Sequence, residues 1–483
     1  MTVTVLAIDQ GTTSTKAFLL SQNGAFRPVG AVAHRQILPG PGLVEHDANE
    51  LIAAIETLIE AGLNDTPDIA AIALANQGET VVAWDKVSGK PLHNAIVWQD
   101  QRTQPLLDQF SDADRRLILD RAGLPTDAYF AAAKLGWMLR NVPDVVDTAR
   151  QGRLLLGTSD AFFLHRLTGR VATDVTTASR TSLMNLTTLQ WDADLCALFD
   201  VPMQLLPPIG PSTGAFGIVT RRGRAIPIIA SLVDQQAALY GHGCRHPGEA
   251  KITFGTGSFA LAVTGAAPLF HDGLVPTIAW QLQGSAPVYA LDAGDYTAAA
   301  AVDWCMAVGM GQSLQDFRFA DAEPAIQHGL AFVPALAGLA APYWRRDAMA
   351  AFIGLTQTTT AADMRKAVLE GVALRGADLV DLICMTGVGP ISVDGGLAKN
   401  SYFVQFLANV LGRPVRLPQT LELSGFGAAL LAFDVLGVAL TAAQDDQLTI
   451  IMPDKTAHAA QAGRSYFKAA IQSMLSLPKH RPI

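Results

Sequence analysis

Asp9 closes an apolar run, and Gly11-Thr12-Thr13-Ser14 stand just beyond it. A second apolar run ends at Phe254 and passes into Gly255-Thr256-Gly257. Turns of this composition expose backbone N–H groups and hydroxyls that can surround phosphate oxygens. Gly11, Gly255 and Gly257 carry no Cβ and let the backbone approach a ligand closely. A carboxylate placed before such a turn suits Mg2+, which keeps several waters and leans on few carboxylates. The structural alternative for Asp9 is a turn aspartate bonding its own backbone. Asp234 follows the apolar stretch 225–231 at a helix start. It is either the N-cap of that helix or a general base taking the proton of a hydroxyl that attacks a γ-phosphorus. Gly395-Gly396 follow Val393-Asp394 as an ordinary strand-end turn or as a rest for a nucleotide base and sugar. Trp98, Tyr129 and Phe259 are either core rings or the apolar walls of a polyol site. One phosphate-type turn in each half points to a duplicated protein that clamps ATP between two lobes.

The elements that position these residues follow from the apolar patterning. Residues 3–20 read as a strand pair reversing at Gly11–Thr13 and ending in a turn at Ser21–Gly24. Asp47 reads as a helix N-cap with Glu50 completing a capping box, and Leu51, Ile52, Ile55, Leu58 and Ile59 fall on one helical face. The strand at 70–75 delivers Asn76-Gln77-Gly78-Glu79-Thr80, and the strand at 95–98 ends on Trp98. Residues 104–200 read mainly as helix, and 202–211 as a proline-rich loop. The second half begins near Pro247 and repeats the strand–turn–strand opening. It continues through a long helix at 361–383, a strand at 391–394, and closing helices at 402–411 and 427–436. Alternating strands and helices give an α/β class, with mixed sheets because the opening strands pair as hairpins.

At 483 residues two large domains are expected, 1–243 and 244–483. The chain is 50% hydrophobic and 16% charged, which argues against disorder. Its net charge of -8 does not favour nucleic acid as a partner. Cys196, Cys244, Cys305 and Cys384 lie at no metal-ligand or redox spacing and read as buried thiols in a reducing compartment. The first residues carry no basic, leader-like segment, and no apolar run reaches membrane-spanning length, so the expected location is cytoplasmic. Walker-type phosphate loops, Gly-x-Ser-x-Gly elbows, His-Glu-x-x-His and Gly-x-Gly-x-x-Gly after a strand are all absent from the sequence.

Several long strings resemble the FGGY carbohydrate kinase family, and most closely its glycerol kinase branch. They are Ile8-Asp9-Gln10-Gly11-Thr12-Thr13-Ser14; the run from Asn94 through Trp98 to Thr103; Thr176-Thr177-Ala178-Ser179-Arg180-Thr181; and Ala350–Leu355 with Asp363-Met364 and Ala367–Glu370. The similarity extends from Ile8 to about Gly437. It implies two actin-like (ribonuclease H-like) domains around an ATP cleft, and transfer of the γ-phosphoryl group of Mg-ATP to a terminal hydroxyl of a short polyol or sugar. By this resemblance Asp9 is associated with Mg2+. Gly11, Thr12, Thr13, Ser14, Lys16 and Thr256 surround the phosphates, and Ala299, Gly395, Gly396 and Asn400 lie on the nucleotide side. Asp234 is the catalytic base, and Gly78, Glu79, Trp98, Tyr129, Asp234, Gln235 and Phe259 form the acceptor pocket. A homodimer or homotetramer is compatible with it.

The departures from the family pattern matter most for the acceptor. Gly78 stands where glycerol kinases carry an arginine that binds the acceptor hydroxyls. Each charge-assisted bond lost is worth roughly 1.5–3 kcal/mol. The expected consequence is a space of several atoms. A tetritol or ketopentose such as xylulose or ribulose would use that space, or water or another arginine would fill it. Ala299 and Asp303 replace a Gly and a Gln on the nucleotide side, and Ala131 replaces a Ser or Thr before Lys134. An ATP-binding module without acceptor chemistry is the rival reading from another class.

Overall fold

Thr4–Gln10 and Ser14–Ser21 pair antiparallel from Thr4↔Ser21 to Gln10↔Thr15, so the chain reverses through Gly11-Thr12-Thr13 alone. The second hairpin is built in the same way. Ala250–Phe254 pairs with Ser258–Gly265 up to Phe254↔Ser258, and Gly255-Thr256-Gly257 make the reversal. These observations come from a computed structural model that describes residues 2–319, 323–384, 390–420, 422–441 and 448–477.

Each hairpin anchors a mixed sheet. The first sheet runs Thr213–Arg221, Arg224–Val233, Ala71–Asn76, Thr4–Gln10, Ser14–Ser21, Phe26–Ala33. The second runs Val275–Trp280, Val288–Asp295, Ser258–Gly265, Ala250–Phe254, Ile391–Asp394, Val415–Pro418, Leu448–Ile451. In both, the first hairpin strand also takes a parallel partner, Ala71–Asn76 in one sheet and Ile391–Asp394 in the other.

The first sheet explains why two distant aspartates meet. Thr4–Gln10, Ala71–Asn76 and Arg224–Val233 are neighbouring parallel strands, with Asp9 opposite Ala75 and Val233 opposite Asn76. Asp9 and Asp234 therefore leave the sheet at the same edge, two strand spacings or about 10 Å apart. Gln77-Gly78-Glu79 emerge between them. Ligands of open α/β sheets bind outside the carboxyl ends of parallel strands, and this is such an edge.

The central strands are buried on both faces, as parallel strands usually are. Leu6, Ile8, Ile72 and Leu74 pack with the helix Ala48–Asp65. On the other face Ala7, Ala71, Ala73 and Ala75 are small, and they pack in one cluster with the helix Leu423–Leu436. That helix belongs to the second half of the sequence, so the first sheet's core is completed from beyond residue 244. It also lies against the helix Asp234–Gly241, with Gly427 pressed on the Ala237 carbonyl. Gly427→Ala adds up to ~1 kcal/mol of helix propensity, but the new Cβ overlaps that carbonyl. We expect a net loss of about 1–3 kcal/mol in urea unfolding, together with lower turnover because the displaced helix carries Asp234.

Three sequence expectations change in detail. Asp47 does cap Ala48–Asp65, accepting from Asn49 N at 2.8 Å, but Glu50 turns outward to Arg35 at 2.9 Å and closes no capping box. The helical region 104–200 is interrupted by the strand Leu154–Thr158, which pairs with Val81–Asp85 in a four-stranded sheet that carries the Trp98 segment. Cys196, Cys244 and Cys305 are buried free thiols, whereas Cys384 is half-buried. Among the described residues no helix is long and apolar enough to cross a membrane.

Candidate active site

A cavity of about 140 Å3 lies between the two hairpin turns. Thr12 reaches it from the first turn, and Gly255, Thr256 and Gly257 from the second. Gly78, Glu79, Trp98, Tyr129, Asp234, Gln235 and Phe259 complete most of its wall. Residues more than 180 positions apart thus share one chamber that touches both phosphate-type turns. Trp98 joins its two sides. Its Nε1 donates to Thr12 Oγ1 at 2.9 Å. Its ring stands edge-on to Tyr129 at 5.6 Å and to Phe259 at 6.1 Å. Such a wall takes the C–H edges of a polyol and leaves the polar groups opposite for its hydroxyls.

Asp234 is the first residue of its helix, with Val233 in the cap position, so it does not serve as the N-cap. Its Oδ1 accepts from Gln235 N at 2.6 Å. Burial, then the charges of Asp9 and Glu79, push its carboxyl up to about 8, against the pull of Lys251. Asp9 is raised to about 7, chiefly by burial, with Lys16 opposing and Glu422 adding to the rise. Two carboxylates made costly to ionise at one sheet edge create a demand for positive charge.

Two buried lysines hold the pocket residues from behind. Lys251 is completely buried, and its ammonium donates to Gln235 Oε1 and, at 2.9 Å, to Thr253 Oγ1. It thereby orients the Gln235 amide. Lys134, also fully buried, donates to Ala128 O at 3.0 Å and Tyr129 O at 2.7 Å, fixing the segment that carries the Tyr129 ring. Burial lowers Lys134 to about 7. The sequence reading assigned neither residue a role. The available signal was a single lysine inside an apolar run, Ala131–Gly136 for one and Ala250–Phe254 for the other.

Arg180 and Asp292 also line the cavity and were not among the expected pocket residues. Arg180 Nε donates to Glu79 Oε1 at 2.6 Å, and its Nη1 stands 3.0 Å from Asp292 Oδ2. These partners are 101 and 112 positions away, so only the assembled fold reveals them. The space expected beside Gly78 is narrow at the first side-chain atom, although Gly78 itself lines the cavity. A Cβ at 78 would stand 3.1 and 3.2 Å from the Val233 methyls and 3.4 Å from Arg180 Cγ. Val233 and the stem of Arg180 crowd it from one side.

The remaining expected nucleotide-side residues lie outside the cavity wall. Gly11, Thr13 and Ser14 belong to the first turn, where Gly11 N donates to Ser14 O at 3.1 Å. Lys16 is not free, because its ammonium donates to both Glu422 oxygens at 2.9 and 2.7 Å. That pair is about one-third exposed, so it is weakly held. Ala299 N donates to Gly255 O at 2.9 Å, which ties the start of the helix Ala299–Ala307 to the second turn. Gly395 has φ 91° and packs on the Phe254 backbone, while Gly396 faces open space. Asn400 caps the helix Ser401–Leu411 through Phe403 N at 3.0 Å and donates to Phe317 O at 2.8 Å.

The profile of the FGGY family of carbohydrate kinases, N-terminal domain, matches residues 4–241, and its C-terminal counterpart matches residues 250–434. Glycerol kinase 2 of Streptomyces avermitilis is 39% identical over 450 residues, spanning 90% of this chain and 89% of its own length. Glycerol kinase of Trichlorobacter lovleyi is 40% identical over 452 residues, 90% of each chain. Among solved structures, Plasmodium falciparum glycerol kinase with ADP superposes with a TM-score of 0.86 at 30% identity, covering 99% of both chains. A ligand-bound xylulose kinase from Lactobacillus acidophilus superposes with a TM-score of 0.84 at 22% identity over 98% of both chains, a likeness of fold. The shared architecture is the two-domain actin-like ATPase fold.

Proposed function

The chain belongs to the FGGY family of carbohydrate kinases, and we propose that its acceptor is glycerol or a closely similar short polyol, phosphorylated on a terminal hydroxyl. It is an ATP-dependent phosphotransferase with an alcohol group as acceptor. The observation that carries the acceptor reading is the single cavity in which Asp234 lies between a polyol-type wall and both phosphate-type turns. The crowding of the Gly78 corner by Val233 and Arg180 weighs against a longer tetritol or ketopentose.

In this reading Trp98, Tyr129 and Phe259 enclose the carbon chain, and Glu79 accepts from a hydroxyl remote from the reacting one. Asp234 accepts the proton of the attacking terminal hydroxyl as its oxygen meets the γ-phosphorus in line. Thr12 and Thr256, with the N–H groups of the two turns, stabilise charge on the phosphoryl oxygens. Lys16 leaves Glu422 for the phosphates. Asp9 fits Mg2+: it is a half-buried carboxylate at the strand end directly before the first phosphate-type turn, and Mg2+ leans on few carboxylates while keeping several waters. Mg2+ bound there would neutralise charge developing on the phosphates. The division into domains 1–243 and 244–483, meeting at this cleft, is part of the same proposal, as is the nucleotide-side assignment of Ala299, Gly395, Gly396 and Asn400.

A coupled ADP-release assay across glycerol, erythritol, xylulose, ribulose and gluconate tests the acceptor. Glycerol should give a kcat/KM at least tenfold above every longer compound. A ketopentose or tetritol exceeding glycerol would overturn the assignment.

A further inference from the structure

Arg180 is the one cation among the described residues of the acceptor cavity, and it is only 4% exposed. Its orientation is fixed from several sides. Nε is bonded to Glu79, and the guanidinium carbon lies 5.7 Å from the Tyr129 ring centroid and 5.4 Å from that of Phe130. Two polar atoms remain unsatisfied. Arg180 Nη1 sits close to Asp292 without the alignment of a hydrogen bond, and Asp292 Oδ1 has no partner. An arginine nitrogen of this type carries two N–H donors, and a carboxylate oxygen carries two acceptor sites. Buried polar groups are rarely left unpaired, so each such atom calls for a partner, whether protein, water or ligand. Here a donor held only by an ion pair without hydrogen-bond alignment and an acceptor with no partner belong to residues that line the same acceptor cavity, and residue 78 offers no side chain to compete with them.

We propose that Arg180 and Asp292 read a vicinal pair of acceptor hydroxyls, the guanidinium donating to one oxygen while the carboxylate accepts from its neighbour. A donor next to an acceptor complements two adjacent hydroxyls, each of which both accepts and donates. The pair recognised is the one remote from the phosphorylated carbon, since Asp234 occupies the reacting end. Arg180, sent in from the segment 176–181, thus supplies the cation that position 78 lacks, and Asp292 makes the recognition specific for a diol. This inference rests on the short-polyol reading above.

The test measures kinetics of Arg180→Lys and Asp292→Asn with glycerol, propane-1,2-diol and propane-1,3-diol, each diol lacking one hydroxyl. Arg180→Lys keeps the charge but loses the planar fork. Its KM for glycerol should rise at least tenfold while its KM for ATP stays within twofold. With either diol the penalty of the substitution should shrink to threefold or less, because one of the two hydroxyls is already missing. Asp292→Asn should behave in the same way. A glycerol KM within twofold of wild type in both variants would overturn the proposal. So would an equal loss for all three acceptors, which marks a purely structural role. If Arg180→Lys does not fold, Asp292→Asn alone decides between these outcomes. A wild-type enzyme that phosphorylates a ketopentose and not glycerol would instead overturn the acceptor reading, a result separable from these.

Discussion

Asp234→Asn is expected to lower glycerol phosphorylation by about 10^2–10^4-fold, the range for losing a positioned general base, while the protein folds and binds ATP. The same substitution should stabilise the ligand-free protein at alkaline pH. The carboxyl lies at about 8 in the folded chain against an ordinary value of 3.8. Between those values the folded state holds a proton that the unfolded state has released, so wild-type stability falls as pH rises through this window. Asn carries no charge at any of these pH values. The stability advantage of the variant should therefore be near zero at pH 4, grow up to about pH 8 and level off above it. Urea unfolding at pH 4.5 and 8.5 reads the difference, and coupled ADP release reads the activity. In the wild type, kcat/KM for glycerol should climb with pH as Asp234 ionises. Turnover at the wild-type rate in Asp234→Asn would remove it from the base role.

Gly78→Arg is expected to damage the enzyme rather than restore a glycerol-binding arginine. The first side-chain atom already meets the Val233 methyls at 3.1 and 3.2 Å, and the added guanidinium enters beside the buried Arg180. Overpacking of this kind typically costs about 1–3 kcal/mol. Turnover with glycerol should fall at least tenfold, since Val233 directly precedes Asp234. Val233→Gly opens the same corner. The double variant Gly78→Arg/Val233→Gly should be more stable than the sum of the two single changes by about 1 kcal/mol or more, the coupling expected of residues in contact. Strictly additive effects would show that Val233 does not crowd the position-78 corner.

The sequence exposes what is encoded locally. Both hairpin turns, the strand ends carrying Asp9 and Asp234, and the approximate bounds of the long helix Ala361–Ile383 can be read from patterning, because each depends on neighbours within a few residues. Trp98 is legible in a long motif string, and Tyr129 and Phe259 only through what the family resemblance implies, none of them through periodicity. Contacts made across the fold were not legible. Nothing near Arg180 in sequence announces its bonds to Glu79 and Asp292, and nothing near Gly78 announces Val233. The helix Leu423–Leu436 reads as one more closing helix of the second half, yet its small residues pack on the alanine face of the first sheet. A buried lysine such as Lys251 looks out of place in a strand until Gln235 and Asp394 are brought to it. The chemistry-bearing residues were thus easier to find than the groups that orient them.

The γ-phosphoryl group is expected to pass directly to a polyol hydroxyl held beside Asp234. 31P NMR of the protein with Mg-ATP and glycerol tests it most directly, because the product's phosphorus signal identifies the new bond. In the wild type a phosphomonoester should appear in step with ADP, with no inorganic phosphate, and neither change should occur at a comparable rate in Asp234→Asn. Inorganic phosphate accumulating at the same rate with and without glycerol, and no phosphomonoester, would contradict it.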